Sequence, residues 1–262
     1  MNIPFYKYQG AGNDFILIDN RESAWVLGSA RIAELCDRHF GVGADGLLIL
    51  SSKKGYDFAM TYFNSDGNES TMCGNGGRCM VAFAARIGLI AGKTRFLAID
   101  GEHDAAIVSD NGSSTIVRLK MKDVTVREKA GSHYFLDTGS PHYVMFVKDA
   151  DKIDVIKTAR KIRYNQIYKK EGTNVDFVQI TQEGLYVRTY ERGVENETLA
   201  CGTGITASAI AAAIHKPKNN GSFKVRMKGG DLEVSFKQNG ITFTEIWLEG
   251  PATFVFEGEI KK

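Results

Sequence analysis

Hydrophobic and polar residues alternate along most of the chain with the two-residue period of a half-buried strand, and this rhythm is broken by two long apolar runs. The alternation predicts strands over Phe15–Asp19, Leu47–Ser51, Asp57–Phe63, Arg95–Ile99, His103–Val108 and Thr115–Lys120. A second series follows at His133–Asp137, Tyr143–Val147, Val175–Ile180, Leu185–Tyr190, Ser222–Met227, Asp231–Phe236 and Ile241–Leu248. The apolar runs predict helices over about Gly76–Ile90 and Gly204–His215. The second run is apolar nearly all round from Ala207 to Ile214, so it needs burial, most simply inside a curved sheet. A shorter helical pattern, Ser29 to Phe40, spaces Ile32, Leu35 and Cys36 along one face behind Ser29 as a candidate N-cap.

The two long helices are headed by related sequences. Cys73 and Cys201 stand 201 minus 73, or 128, residues apart, and at that offset Thr61 meets Thr189, Tyr62 meets Tyr190, Asn68 meets Asn196 and Glu69 meets Glu197. Ser70 meets Thr198, Gly74 meets Gly202 and Gly76 meets Gly204 in the same ungapped register. The chain therefore reads as a doubled unit. Upstream, Gly12 to Phe15 resembles Gly172 to Phe177 at a different spacing, which predicts an inserted helix in the first half, namely Ser29 to Phe40. The charged stretch around Asp123 to Ser132 is the predicted boundary, giving halves 1–122 and 123–249.

Composition narrows the function classes. The 262 residues are 43% hydrophobic, enough for a sizeable core, and 33 basic against 31 acidic side chains leave a net charge of +2. No global field points to nucleic acid or a membrane surface, and the expected partner is a small molecule. The longest low-polarity run, Ile205 to Ile214, is about half a membrane span, and the first residues lack a signal-peptide pattern, so the expectation is a cytoplasmic chain. Four cysteines, Cys36, Cys73, Cys79 and Cys201, are too few for a disulfide framework. With no CxxC and scattered histidines, no metal site is expected.

A cysteine at a helix mouth lies beside unpaired backbone N–H groups and the positive end of the macrodipole, which favours a thiolate and cradles an anion. Gly74, Gly76 and Gly77, or Gly202 and Gly204, let a ligand carboxylate approach the backbone without a Cβ in the way. Two such mouths presenting Cys73 and Cys201 to opposite faces of one carbon would make a racemase or epimerase site, one sulfur removing a proton and the other delivering one. A lone cysteine beside an Ala-rich helix is ordinarily a small buried hydrophobe. That reading suits Cys36 and Cys79, which have no counterpart across the repeat.

The stretches GAGNDF, YFNSDGNESTMCGNGGRC, GTNVDF, YERGVENETLACGTG and TGSPHYV, in this order over nearly the whole chain, resemble the diaminopimelate epimerase family. The resemblance implies an α+β fold of two pseudo-symmetric domains, each a barrel-like β-sheet wrapped around a central α-helix, the last strand (250–262) returning to the first domain. It implies a cofactor-free, homodimeric isomerase of lysine and peptidoglycan-precursor synthesis that converts LL-diaminopimelate to the meso form. Carried over by position, Cys73 and Cys201 are the acid–base thiols. Asn13, Asn64, Gly74, Asn75, Asn174, Glu191, Arg192, Gly202 and Thr203 contact substrate, and His142 and Glu191 support the thiols. A guanidinium fork at Arg192 and a carboxylate at Glu191 suit the distal zwitterion of such a substrate. Two positions depart from the family pattern: Ser140 stands where many relatives have Asn, and Gly46 where some have Gln. A proline or hydroxyproline racemase uses the same two-thiol chemistry, and a thiol-redox protein pairing Cys73 with Cys79 is the alternative from another class.

Overall fold

The computed structural model describes residues 2–22, 25–126, 128–130, 133–216 and 221–261; Arg127, Gly131 and Ser132, in the predicted boundary stretch, lie outside the described residues. Chain contacts divide the molecule into one unit of Met1–Leu119 with Gly250–Lys262 and another of Lys120–Glu249.

In the first unit the elements run β1 (Asn2–Gly10), β2 (Asn13–Asp19), α1 (Ser29–Cys36), β3 (Gly46–Ser51), β4 (Phe58–Asn64), β5 (Glu69–Ser70), α2 (Gly74–Arg86), β6 (Lys93–Ala98), β7 (Gly101–Asp110) and β8 (Ser114–Lys120). The second unit continues with β9 (Val124–Thr125), β10 (Glu128–Ala130), β11 (His133–Asp137), β12 (Pro141–Phe146), α3 (Val155–Arg163), β13 (Asn174–Ile180), β14 (Leu185–Glu191), β15 (Asn196–Thr198), α4 (Gly202–His215), β16 (Ser222–Met227) and β17 (Gly230–Asn239). The final strand, β18 (Thr242–Lys261), begins in the second unit and ends in the first.

Strand pairing closes the first unit into a barrel. Antiparallel and parallel ladders link β1 to β2, β2 to β3, β3 to β4, β4 to β6, β6 to β7, β7 to β8, β8 to the end of β18, and β18 back to β1. Closure leaves none of the strands in this ring as an open edge. Helix α2 packs on β1, β2, β3, β4 and β7, with all of Gly74 to Ala84 buried. Its fully buried Met80, Val81 and Phe83 contribute about 1.5–3 kcal/mol each by leaving water. The second unit repeats the ladder order through β11, β12, β13, β14, β16, β17 and the start of β18, around an α4 that is buried from Gly204 to Ala213.

Strands β2 and β13 are buried on both faces, which explains the consecutive apolar residues Phe15 to Ile18 and Phe177 to Val178 within the predicted alternation. In the first unit Ile16, Ile18 and Leu47 pack against Ile32, Leu35 and Cys36 of α1, while Phe15 and Leu48 approach Gly76 of α2. In the second, Val175, Phe177 and Tyr190 pack against Val155 and Ala159 of α3. Strand alternation then turns Asn174, Asp176 and Thr189 to the opposite face, toward α4.

This layout corrects the predicted insertion. Helix α3, which the periodicity missed, occupies the same β-to-β connection as α1, so the first half carries no extra helix. The strand pairing agrees: on either side of each helix the flanking strands pair in parallel, Phe15 with Gly46 in the first unit and His142 with Asn174 in the second. The counterpart of Asn13 to Asp19 is therefore the Pro141 strand, and the likeness of GNDF to GTNVDF is a likeness of composition. Helix α1 is also shorter than expected, capped by Gly28 without a side-chain hydrogen bond and ending at Cys36, with Phe40 exposed.

Candidate active site

Each long helix begins one residue after a cysteine. Cys73 is the extended N-cap of α2, with φ −100° and ψ 127°, and Cys201 is the extended N-cap of α4, with φ −131° and ψ 108°. Neither cap is the Ser, Thr, Asp or Asn that ordinarily closes a first turn, and the backbone N–H groups at a helix start favour an anion.

At the α2 mouth the Cys73 thiol lies 3.6 Å from Asn13 Oδ1, to which Asn75 Nδ2 also donates at 3.4 Å. The orientation of Asn13 is fixed from behind: its Nδ2 donates to Asp45 Oδ2 at 2.6 Å. Arg38 bridges Asp45 and Asp14 at 2.7 Å each, and buried Lys7 reaches Asp14 at 2.7 Å and the Gly43 carbonyl. Burial pushes the Asp14 carboxyl up, but hydrogen bonds and charge from Arg38 and Lys7 outweigh it and hold Asp14 well below the usual carboxylate range. Asn64, the last residue of β4, pairs in register with Gly46, which itself pairs with Phe15 beside Asn13, so Asn64 stands at the same end of the barrel. Gly46 could not carry the Gln of some relatives: a Cβ there would sit 2.5 Å from the Phe63 carbonyl oxygen and 2.6 Å from the Tyr62 ring.

At the α4 mouth the Cys201 Sγ lies 3.4 Å from Thr203 Oγ1, which is 2.8 Å from His142 Nε2. The opposite ring nitrogen, Nδ1, is 2.7 Å from Asp176 Oδ2, and both side chains are fully buried. The hydrogen-bond network assigns the neutral ring's proton to Nδ1, leaving Nε2 to accept. Three polar groups compete for its single lone pair: Thr203 Oγ1, Ser140 Oγ at 3.0 Å and Asn174 Nδ2 at 3.3 Å. Thr203 has one proton to give, to Nε2 while Cys201 is a thiol and to the sulfur when it is a thiolate. Burial raises the Cys201 thiol well above its ordinary value, and the charges of Glu191 and Asp176 add to this. Hydrogen bonds from Thr203 and the Gly204 N–H oppose them. Ser140, in place of the family's Asn, is held by Asn174 Nδ2 at 3.0 Å and stays inside the network. Asn174 Oδ1 in turn accepts the Arg192 backbone N–H at 2.7 Å, fixing the end of β14 where Glu191 and exposed Arg192 stand.

The structure thus brings Asn13, Cys73, Gly74 and Asn75 together at one mouth and His142, Asn174, Glu191, Arg192, Cys201, Gly202 and Thr203 at the other. The sequence reading missed Asp176, although an acid inside the apolar strand NVDFV signals a charge held on a buried face. It also missed Asp45 and Arg78; a fully buried arginine within an apolar helix is the corresponding signal. Cys36 and Cys79 are core residues, and burial raises their thiols to about 11 and about 12. Among the described residues no group of three or more His, Cys, Asp or Glu could hold a metal, and no helix is long and apolar enough to cross a membrane.

Comparison with known proteins gives the same doubled pattern. A solved phenazine biosynthesis protein of the PhzF family from Bacillus anthracis superimposes with a TM-score of 0.79 at 15% identity, each chain fully covered. A hydroxyproline epimerase from Agrobacterium vitis gives 0.69 at 14%, covering 99% of this chain and 92% of the other. At such identities these share the fold alone. Sequence relatives are much nearer. The diaminopimelate epimerase of Flavobacterium psychrophilum is 50% identical over 97% of this chain and 99% of its own, and that of Chlorobaculum tepidum 42% identical over 96% and 98%. The family model described as diaminopimelate epimerase matches twice, at residues 5–126 and 134–255, once for each Cys-capped helix and the strands around it. A repeat matched in both halves, with near-full-length relatives at this identity, places the chain in the diaminopimelate epimerase family.

Proposed function

We propose that the chain interconverts LL-2,6-diaminopimelate and meso-diaminopimelate without a cofactor, using Cys73 and Cys201 as the acid–base pair, in the supply of lysine and peptidoglycan precursors. The observation that carries this reading is the pair of cysteine N-caps 128 residues apart, each opening a glycine-bearing first turn of a buried helix. One sulfur, as thiolate, takes the α-proton and becomes a thiol; the carbanion then takes a proton from the second thiol, which is left as thiolate. Atoms and charge balance, and the reverse reaction exchanges the two roles. The α-carboxylate rests on the N–H groups around Gly74–Asn75 and Gly202–Thr203, while Arg192 and Glu191 meet the distal carboxylate and ammonium. Asn13, Asn64 and Asn174 supply amides that both donate and accept.

The redox alternative is poorly supported. Cys79 is fully buried and its thiol is raised to about 12, unsuited to resolving an oxidised Cys73. A cytoplasmic location and a homodimer complete the proposal, the latter checked by sedimentation. The substrate is tested by solvent deuterium incorporation at the α-carbon, with LL-diaminopimelate and L-proline in parallel. Exchange with diaminopimelate alone is expected; exchange with proline alone would overturn the assignment.

A further inference from the structure

Arg78 is among the largest fully buried side chains of the described residues, and among those residues it forms no ion pair. Its Nη2 donates to Asn75 Oδ1 at 2.8 Å and its Nη1 to the Gly74 carbonyl at 3.3 Å, while Nε has no partner. Burial lowers its basicity, yet a guanidinium starts so high that it keeps its charge at neutral pH. An unneutralised buried cation is costly and calls for a compensating anion.

The other charges near this mouth cancel. Lys7 of β1 and Arg38 after α1 are matched by Asp14 of β2 and Asp45 before β3. Cys79 of α2 itself, pushed up to about 12 by burial, stays a neutral thiol. Of the described groups, the charges that act on Arg78 are those of Cys79 and Cys73, so with Cys79 neutral the anions left to it are the Cys73 thiolate and whatever carboxylate the mouth receives. The repeat supplies an internal comparison. Residue 78 plus 128 is Thr206, whose Oγ1 donates to the Gly202 carbonyl at 2.9 Å, as Arg78 donates to Gly74. The same structural bond is made by a neutral group in α4 and by a cation in α2.

We propose that Arg78 is a positioning residue that makes the thiolate form of Cys73 reachable, by adding a full buried charge to the α2 mouth and by fixing Asn75 with its Nδ2 toward Asn13. The proposal rests on the reading of Cys73 as an acid–base thiol. Asn13 and Arg78 then divide the work between the two protonation states: Asn13 Oδ1 accepts from the thiol, and the guanidinium stabilises the anion left when the proton departs.

The test is the pH dependence of iodoacetamide alkylation of Cys73, read by peptide mapping in the wild type, Arg78→Lys and Arg78→Met. Arg78→Met is expected to slow Cys73 alkylation at pH 7 at least tenfold and move its midpoint upward, whereas Arg78→Lys stays within threefold of wild type. If Arg78→Met does not fold, Asn75→Asp decides, because it supplies Arg78 with a carboxylate and is expected to give the same slowing. Unchanged Cys73 alkylation in Arg78→Met, or in Asn75→Asp where that variant decides, would overturn the proposal. No substrate enters the measurement, so this inference and the proposed activity can fail separately.

Discussion

Replacing Gly204 by Ala probes whether the His142–Asp176 pair packed under α4 matters. A Cβ at Gly204 would lie 2.5 Å from Asp176 Oδ1 and 3.2 Å from both His142 Cε1 and Thr189 Oγ1. Asp176 cannot retreat freely, since Oδ1 accepts from Thr189 at 2.7 Å and Oδ2 holds His142 at 2.7 Å, all three residues being fully buried. Overpacking costs about 1–3 kcal/mol and loss of one hydrogen bond to the charged carboxylate about 1.5–3 kcal/mol. Against this, Ala in place of Gly within a helix returns about 1 kcal/mol. The clash wins, with a net destabilisation of about 1.5–5 kcal/mol, or at roughly 2–4 °C per kcal/mol a melting temperature lower by at least about 3 °C. Gly92→Ala, which meets nothing within 4 Å, is the control and should be neutral or slightly stabilising. Calorimetry read alongside epimerisation rate checks both. A Gly204→Ala protein that melts with the control and turns over normally would refute the argued packing of the pair.

Other consequences follow from the same networks. Asp176→Asn should lower kcat by about 10²-fold with KM little changed, and ¹⁵N shifts should show His142 losing its Nδ1–H tautomer. Cys79→Ala should keep full epimerisation while losing about 0.5–3 kcal/mol of stability, measured by urea unfolding, because Cys79 is packing alone. Asp14 has its folded-state pKa held below its unfolded value, so its contribution is present above about pH 4 and is lost as pH falls from there toward the folded value. Lys7→Met removes part of that depression, so an acid titration of Tm should show a shallower loss than the wild type below about pH 4.

The strands, the two central helices and the doubled organisation were legible in the sequence because period-two alternation and an ungapped repeat are local signals. Helix α3 escaped because its buried face is narrow, Val155 and Ala159, on an otherwise charged and exposed helix. Strand β1 escaped because its alternation mixes aromatic, Lys and Gln positions, with Lys7 buried against Asp14 and the Gly43 carbonyl. The repeat was misaligned upstream of Cys73 because local composition, GNDF against GTNVDF, outweighed the element order that strand pairing later supplied. At the site, single residues named by motif lie at the two mouths, but their supports did not stand out. Asp176, Asp45 and Arg78 acquire meaning only once burial and partners are known.

The two-thiol mechanism is tested most directly by following α-proton loss and LL-to-meso conversion of diaminopimelate in D₂O by NMR, for the wild type, Cys73→Ala and Cys201→Ala. The account predicts that the wild type places deuterium at the inverted carbon, and that either single replacement lowers interconversion by about 10²–10⁴-fold or more. Interconversion at the wild-type rate by a protein lacking Cys73, or by one lacking Cys201, would contradict it.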